Sequence, residues 1–300
     1  MKPLLSAILV ALLPFVSFIS SAQTTATAEN ITATKLFEKG MEQYNKKNFD
    51  SAIIFFKQIA DNNIARGTSV FGNALFNIPT LYFQLNNIRE AKQWYLKVIA
   101  SDVKDNDETG SIMEPHANYK YKSAVSMANI YALDSNYKEM LNWLFKADTV
   151  YPYWGFEGSA TNTNQRQSYL LSSKALALQQ LNKKPEAIRE IITTMIYATS
   201  ENFFGPASAT LLEMVDKDFI TAFDEGLNNM SVSTTDSITW KASFGVKGLP
   251  YKLIFTKDQS DLKIPHFWHK YFVDKDTPVD KLSVIALIRR TEFYKSLKAK

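Results

Sequence analysis

The sequence predicts a mostly α-helical protein, an array of helical hairpins followed by a small α+β unit at the carboxyl end. Three observations lead to this fold class. One spacing of small and bulky residues recurs four times, apolar residues keep a helical period from residue 34 to residue 200, and they alternate in steps of two around residue 240. With 46% hydrophobic residues among 300, the chain can bury a large core.

Residues 1–22 have the pattern of a secretory signal peptide. Lys2 gives the positive start, residues 4–19 are apolar, and Ser20-Ser21-Ala22 form a small-residue cleavage site. We expect cleavage after Ala22, a periplasmic or secreted location, and no integral membrane segment in the mature chain. A membrane anchor is the alternative, but an apolar run of about 16 residues is short against the ~20 that span a bilayer. Residues 23–33 are small and polar, which predicts a flexible lead-in.

The helical region, residues 34–200, is marked by the recurring spacing. A small residue is followed after nine positions by a bulky one, after 12 by a second small one and after 16 by a large apolar one. The clearest copy is Gly40, Phe49, Ala52 and Phe56. Such spacing is typical of two antiparallel helices that cross closely where both side chains are small, joined by a short polar turn.

The spacing and the helical period together predict four helix pairs. Pro79 takes a small-residue position in the second pair and predicts a kink, while Pro185 falls in a first turn, where proline is tolerated. The predicted pairs are Thr34–Lys46 with Phe49–Asn62, Ser69–Leu85 with Ile88–Ala100, Tyr119–Leu133 with Tyr137–Val150, and Gln165–Leu181 with Pro185–Ala198.

These segments resemble tetratricopeptide repeats, a family whose repeat of about 34 residues is a helix-turn-helix. The resemblance runs from Thr34 to Ser200, although the copies here are spaced more widely and Met140 stands where a small residue is usual. The resemblance implies a stack of helical hairpins that binds a protein or peptide and catalyses no reaction. With the signal pattern, it indicates an exported bacterial member of that family.

The carboxyl-terminal part is predicted to contain a helical cap, residues 201–229, and a small α+β region, residues 230–300. Apolar and polar residues alternate from Ile238 to Val246, which predicts a strand with one buried face. Gly248-Leu249-Pro250 predicts a turn into a second strand, Tyr251–Thr256. Because a lone hairpin is barely stable, these strands must pack on helices.

A last helix is predicted after Thr277, which can cap the free amides, and Pro278, which fits a first turn. Asp280 in that turn suits the positive end of the helix. The predicted inner face of this helix consists of Leu282, Ile285, Ile288 and Leu297.

Composition excludes several kinds of site. The chain has no cysteine, so disulfides, thiolate metal sites and a cysteine nucleophile are excluded. The formal charge of +4 (34 basic, 30 acidic) is small and scattered, which argues against nucleic acid as a partner. His266 and His269 lack a third ligand at a familiar spacing, and the acidic loop from Asp102 to Glu114 is interpreted as solvated rather than as a calcium site. We expect no metal, no cofactor and no enzyme activity.

The predicted partner-binding residues lie in two places. The first is the inner face of the stack, where exposed polar and aromatic residues of each first helix are candidates: Asn73, Asn77, Asn118, Tyr121, Lys122, Asn129 and Lys174. The second is the loop of residues 151–165, where Tyr153, Trp154 and Phe156 can anchor a peptide or stack on a sugar ring.

Three functions remain open at this stage. The favoured one is an exported, non-catalytic adaptor for a protein or peptide partner in the cell envelope. A carbohydrate- or small-ligand-binding envelope protein is the alternative. The third is a hydrolase whose site uses His266, His269 or Glu292.

Overall fold

The computed structural model of the chain describes residues 28–109, 116–154, 160–197, 211–234, 239–256, 280–290 and 292–299. The predicted signal peptide, Phe156, His266 and His269 lie outside these described residues. The chain divides into two compact units, residues 1–156 and residues 157–300. The predicted fold class is confirmed: helices follow one another in pairs, and a small antiparallel sheet lies near the carboxyl end.

The first unit contains three helical hairpins. Their helices are α1 (Ala28–Asn45), α2 (Phe49–Asp61), α3 (Ser69–Gln84), α4 (Ile88–Ala100), α5 (Tyr119–Leu133) and α6 (Tyr137–Thr149). Helix α1 begins six residues before the predicted Thr34, so the flexible lead-in is wrong from Ala28 onward. The reason is tertiary: Ala33 is fully buried, and the Glu29 carboxylate accepts the Ala65 amide at 2.8 Å.

Each hairpin turn repeats one backbone conformation. A residue with positive φ ends the first helix, namely Lys47 (60°), Asn86 (57°) and Ser135 (54°) in the first unit. The next residue is an asparagine at the N-cap position of the second helix, and two of the three, Asn87 and Asn136, cap it by accepting the Glu90 and Glu139 amides at 3.3 and 3.2 Å. Asparagine caps satisfy amides that have no partner inside the helix, so the polar turn ends one helix and begins the next.

The helices of the first hairpin cross where the sequence predicts. A Cβ atom at Gly40 would lie 2.5 Å from the ring of Phe56, which packs on Phe37 with ring centroids 5.2 Å apart. The second and third hairpins meet at a similar contact, because a Cβ at Gly72 would lie 2.7 Å from the ring of Tyr119. Glycine is required at both contacts because no larger side chain fits.

The second unit begins with the fourth helix pair, α7 (Ala160–Gln180) and α8 (Lys184–Tyr197), and α7 starts five residues before the predicted Gln165. Its remaining elements are α9 (Lys217–Asn228), β1 (Ser231–Thr234), β2 (Thr239–Val246), β3 (Leu249–Thr256), α10 (Lys281–Arg290) and α11 (Glu292–Lys298). The three strands are antiparallel in the order β1-β2-β3. As expected, they pack on helices: β2 contacts α9, and β3 contacts α8.

The turn of the β2–β3 hairpin differs from the prediction. It consists of Lys247 and Gly248, both with positive φ (49° and 80°), while Leu249 and Pro250 already pair with Val246 and Gly245. A two-residue turn of this hand matches the twist of the flanking strands, and it therefore replaces the predicted Gly-Leu-Pro turn.

The sheet is held to α9 by aromatic packing and by one close backbone approach. Phe223 meets Phe244 edge-on with ring centroids 5.6 Å apart, and Phe244 stacks on Tyr251 at 5.2 Å. A Cβ at Gly226 would lie 2.4 Å from the Gly245 carbonyl oxygen. The second unit thus has an apolar core formed between α9 and one face of the sheet.

The carboxyl-terminal helices are tied to α9 by polar contacts. Asp280 caps α10 by accepting the Ser283 amide at 2.8 Å, and Tyr294 and Lys298 donate to the Asp224 carboxylate at 2.5 and 2.8 Å. The predicted inner face is correct at Ile285, Ile288 and Leu297, which are buried. It is wrong at Leu282, because Val284 takes the buried position and Leu282 is 77% exposed.

Candidate functional site

The polar residues predicted on the inner face of α3 and α5 are buried, not exposed. Asn73 and Asn77 on α3 are 3% and 1% exposed, and Tyr121, Lys122 and Asn129 on α5 are 5%, 8% and 3% exposed. Most residues of both helices are buried, so the short amide side chains do not reach past their bulky neighbours to the surface. The prediction that these residues are exposed is therefore wrong.

These buried polar side chains nevertheless form rows. On α5, Lys122, Ser126 and Asn129 follow at intervals that place them on one helix face. On α3, Asn73 and Asn77 are one turn apart, and the hydroxyl of Tyr119 on α5 donates to Asn73 Oδ1 at 2.8 Å. We call the residues Asn73, Asn77, Gln84, Lys122, Ser126 and Asn129 the inner row.

Asn77 stands out in the inner row because its amide has no partner. Neither its Nδ2 nor its Oδ1 has a hydrogen bond within the part of the chain that the structure describes, and the same holds for Oε1 of Gln84 two turns later. A buried polar group left unpaired costs about 1–3 kcal/mol, so native proteins keep few of them. An amide that offers one donor side and one acceptor side matches a peptide group.

A buried lysine lies near the start of the same helix. Burial lowers the pKa of Lys122 to about 8, against the opposing attraction of Asp105. The Asp105 carboxylate accepts the amides of Lys120 and Tyr121 at 2.6 and 3.1 Å and so caps α5, and burial raises the pKa of this carboxyl. The interpretation of the acidic loop as solvated is therefore wrong at Asp105, because its carboxylate accepts amides of the first turn of α5.

Asn118 joins the aromatic loop to the beginning of α5. Its Oδ1 accepts the Trp154 amide at 2.7 Å, and its Nδ2 donates to the carbonyls of Trp154 and His116 at 3.0 and 3.1 Å. Asn118 has a positive φ of 54° and is fully buried. Its role is thus to position the loop, which differs from the partner contact that the sequence predicts.

The loop held by Asn118 presents aromatic rings. Tyr153 packs edge-on against Tyr121 with ring centroids 5.2 Å apart, and His116 meets Trp154 edge-on at 6.2 Å. Trp154 remains 48% exposed. We call His116, Asn118, Tyr121, Tyr153 and Trp154 the aromatic corner.

The structure therefore brings together four predicted residues, Asn118, Tyr121, Tyr153 and Trp154, within the first unit. Lys174 lies on α7 in the second unit and is half-buried. Sequence reasoning missed Asp105 and His116, because neither lies on a helix and each acts through a loop contact.

The described residues contain neither a cluster of metal ligands nor a helix that could span a membrane. No group of three or more histidine or acidic side chains there could hold a metal ion. Within the same ranges, no helix combines the length and the hydropathy that crossing a membrane requires.

The solved structures that are similar to this chain include MamA and PilF. MamA of strain AMB-1 is 16% identical over 61% of this chain and 82% of its own, with a TM-score of 0.40. PilF of Pseudomonas aeruginosa is 11% identical over 91% of this chain and 99% of its own, also with a TM-score of 0.40. Both are tetratricopeptide-repeat proteins. No family model matches the sequence, and no curated protein matches it. By its own repeated turns and close crossings, the chain has a tetratricopeptide-like fold of helical hairpins.

Proposed function

We propose that this protein is an exported, non-catalytic scaffold that holds an extended segment of a partner protein against the inner row. The observation that carries the proposal is the Asn77 amide, which is buried with no hydrogen-bond partner in the described chain. A bound peptide group would pair with both sides of this amide and recover the cost of about 1–3 kcal/mol.

The spacing of the unpaired groups fits an extended chain. Asn77 and Gln84 are seven residues apart on α3, which is about 10.5 Å along the helix axis. Three residues of an extended peptide cover about 10 Å. Lys122, which is charged below its pKa of about 8, would favour a segment that carries a carboxylate. Since the inner row is buried, binding requires its neighbours to move aside.

The test compares the wild type with Asn77→Leu, which keeps the number and branching of the side-chain heavy atoms and removes the amide. A library of random displayed peptides should yield binders of the wild type, and these should lose at least ~10-fold in affinity on Asn77→Leu, the equivalent of about 1.4 kcal/mol. Asn142→Leu, on the exposed side of α6, is the matched control and should bind as the wild type does. Equal binding by Asn77→Leu would contradict the proposal.

Carbohydrate binding is the second candidate, because the indole of Trp154 is half-exposed and Asn118 holds the backbone that carries it. A flat aromatic side chain of this kind can stack on a sugar ring. Trp154→Ala should abolish binding on a glycan array if this reading is correct and leave peptide binding unchanged. A silent array for the wild type would remove this candidate.

The proposal also covers the export of the protein and the class of its partner. The positive start, apolar run and small residues of the first 22 positions support export to the periplasm or the medium, with cleavage after Ala22. Sequencing of the mature amino terminus should therefore read Gln23-Thr24. We also propose that nucleic acid is not a partner, which a filter-binding assay with mixed DNA and RNA can check.

A further inference from the structure

The positive charge of this protein is concentrated at its carboxyl end. Residues 281–300 contain six basic residues and one acidic residue, a balance of 6 − 1 = +5, whereas the whole chain has 34 − 30 = +4. The first 280 residues therefore carry 4 − 5 = −1. The description of the charge as scattered is thus wrong for this segment.

The fold places part of this charge on one exposed face of α10. Leu282, Ala286, Arg289 and Arg290 are all exposed and follow at intervals that put them on one side of the helix. The opposite side is buried through Val284, Ile285 and Ile288. Helix α10 contains no acidic residue, and Leu282 is the most exposed large apolar side chain in the described part of the chain. We call Leu282, Ala286, Arg289 and Arg290 the basic face; Lys281, the exposed first residue of α10, lies beside it at the start of the helix.

The basic face is held in place by the rest of the second unit. Arg289 donates to Asn228 Oδ1 at 3.0 Å, and Lys298 pairs with Asp224 at 2.8 Å, so the helices rest on α9. Lys281 and Arg290 form no ion pair with any residue that the structure describes. Two exposed cations, the first and last residues of α10, therefore lie on the same helix as the exposed Leu282.

We propose that the basic face docks on an anionic lipid surface. Each exposed Lys or Arg near such a surface contributes about 1 kcal/mol, and one leucine can enter the boundary between headgroups and acyl chains. A partner protein is the less suitable occupant, because a single row of side chains covers much less than the roughly 800 Å² per partner of a standard protein interface. The attachment is peripheral, reversible and sensitive to salt.

The test uses the full chain in a flotation assay with two kinds of vesicle, phosphatidylcholine alone and phosphatidylcholine mixed with phosphatidylglycerol. At low salt, the wild type should partition several-fold more strongly onto the anionic vesicles, and high salt should remove the difference. The double variant Lys281→Gln, Arg290→Gln should lose about 10–30-fold in partitioning, from about 1 kcal/mol for each charge. Leu282→Gln should lower the partitioning onto anionic vesicles by less than the double variant does.

A matched control removes the same charge elsewhere. Lys35 and Lys138 are exposed on α1 and α6, and Lys35→Gln, Lys138→Gln should bind anionic vesicles as the wild type does. The apolar residues 4–19 could insert into any bilayer, but such insertion would not depend on lipid charge, salt or the carboxyl-terminal variants. Circular dichroism confirms that each variant is folded.

The proposal is overturned by equal partitioning onto both kinds of vesicle, by unchanged binding of the Lys281 and Arg290 double variant, or by equal loss in the Lys35 and Lys138 control. Binding to soluble polyglutamate without binding to vesicles also overturns it, because the basic face would then recognise an acidic polymer. Selective, salt-sensitive binding lost only in the carboxyl-terminal variants supports it.

Discussion

Gly40→Ala tests the close helix crossing on which the first hairpin depends. The added methyl would lie 2.5 Å from Phe56 Cε1 and 2.9 Å from two further ring atoms. Carbon atoms prefer about 3.5–4 Å, so the ring would have to move by about 1 Å. Phe56 is fully buried and packs on Phe37, which leaves the ring no space to enter.

The expected change in the free energy of unfolding is the difference between the cost of overpacking and the gain in helix propensity. Overpacking costs about 1–3 kcal/mol, and three ring contacts under 3 Å place this site near the upper end. Alanine in a helix is about 1 kcal/mol better than glycine. The net loss is therefore about 1–2 kcal/mol, which lowers Tm by roughly 2–8 °C for a protein of this size.

A double-mutant cycle with Phe56→Leu separates these terms. With the ring removed, Gly40→Ala has space and should stabilise by about 1 kcal/mol relative to Phe56→Leu alone, so the coupling is about 2–3 kcal/mol. Thermal unfolding followed by circular dichroism measures all four proteins. Gly67, which has a φ of 83° and open space around its Cβ, is the control, because Gly67→Ala should not couple to Phe56→Leu. A stabilising Gly40→Ala in the wild-type background would refute the packing argument.

Three further predictions concern burial, loop positioning and the sheet. Lys122 has a folded pKa of about 8, below the ~10.4 of an unfolded lysine, so the unfolded chain binds more protons between these values. The free energy of unfolding should rise by about 1–3 kcal/mol from pH 8 to pH 10, and Lys122→Met should flatten this slope in urea titrations. Asn118→Ala should lower the free energy of unfolding by about 1–3 kcal/mol. It should also raise the quenching of Trp154 fluorescence by acrylamide, with Trp154→Phe as the reference that lacks this indole. Gly226→Ala should destabilise by more than about 2 kcal/mol, whereas Gly245→Ala, whose Cβ approaches other atoms only to 3.9 Å, should not.

Much of the hairpin fold could be predicted because its causes are local. The helical period, the small residues at Gly40 and Ala52 and the asparagine caps all lie within one hairpin of sequence. Strand β1 was missed because its sequence, Ser-Val-Ser-Thr, has no apolar alternation and its pairing depends on β2. The prediction is wrong at Leu282 because Val284, two positions on, is equally apolar, and only tertiary packing decides which of the two is buried.

The candidate site could be predicted less well, because burial depends on neighbouring helices rather than on residue type. Asn118 is predicted as an exposed partner-binding residue, but its contact with Trp154 spans 36 residues of sequence. Its positive φ is likewise a property of the folded loop. The aromatic residues of the loop are adjacent in sequence, whereas Asn118, which holds the loop, is distant; the predicted role of these rings in partner binding stays a prediction.

Asn73 and Asn77 show what the structure adds to the sequence. Both are asparagines on one face of α3, and residue type gives no reason to separate them. Asn73 receives the Tyr119 hydroxyl at 2.8 Å, while the Asn77 amide has no partner in the described chain. Asn73→Leu should therefore lower stability by about 1–3 kcal/mol, since it leaves a buried hydroxyl without its nearest acceptor. Asn77→Leu should raise stability while it weakens peptide binding. If the free energy of unfolding falls in Asn73→Leu and rises in Asn77→Leu, the first amide is structural and the second is available for binding. Equal losses of free energy of unfolding in both variants would mean that Asn77 is also structural.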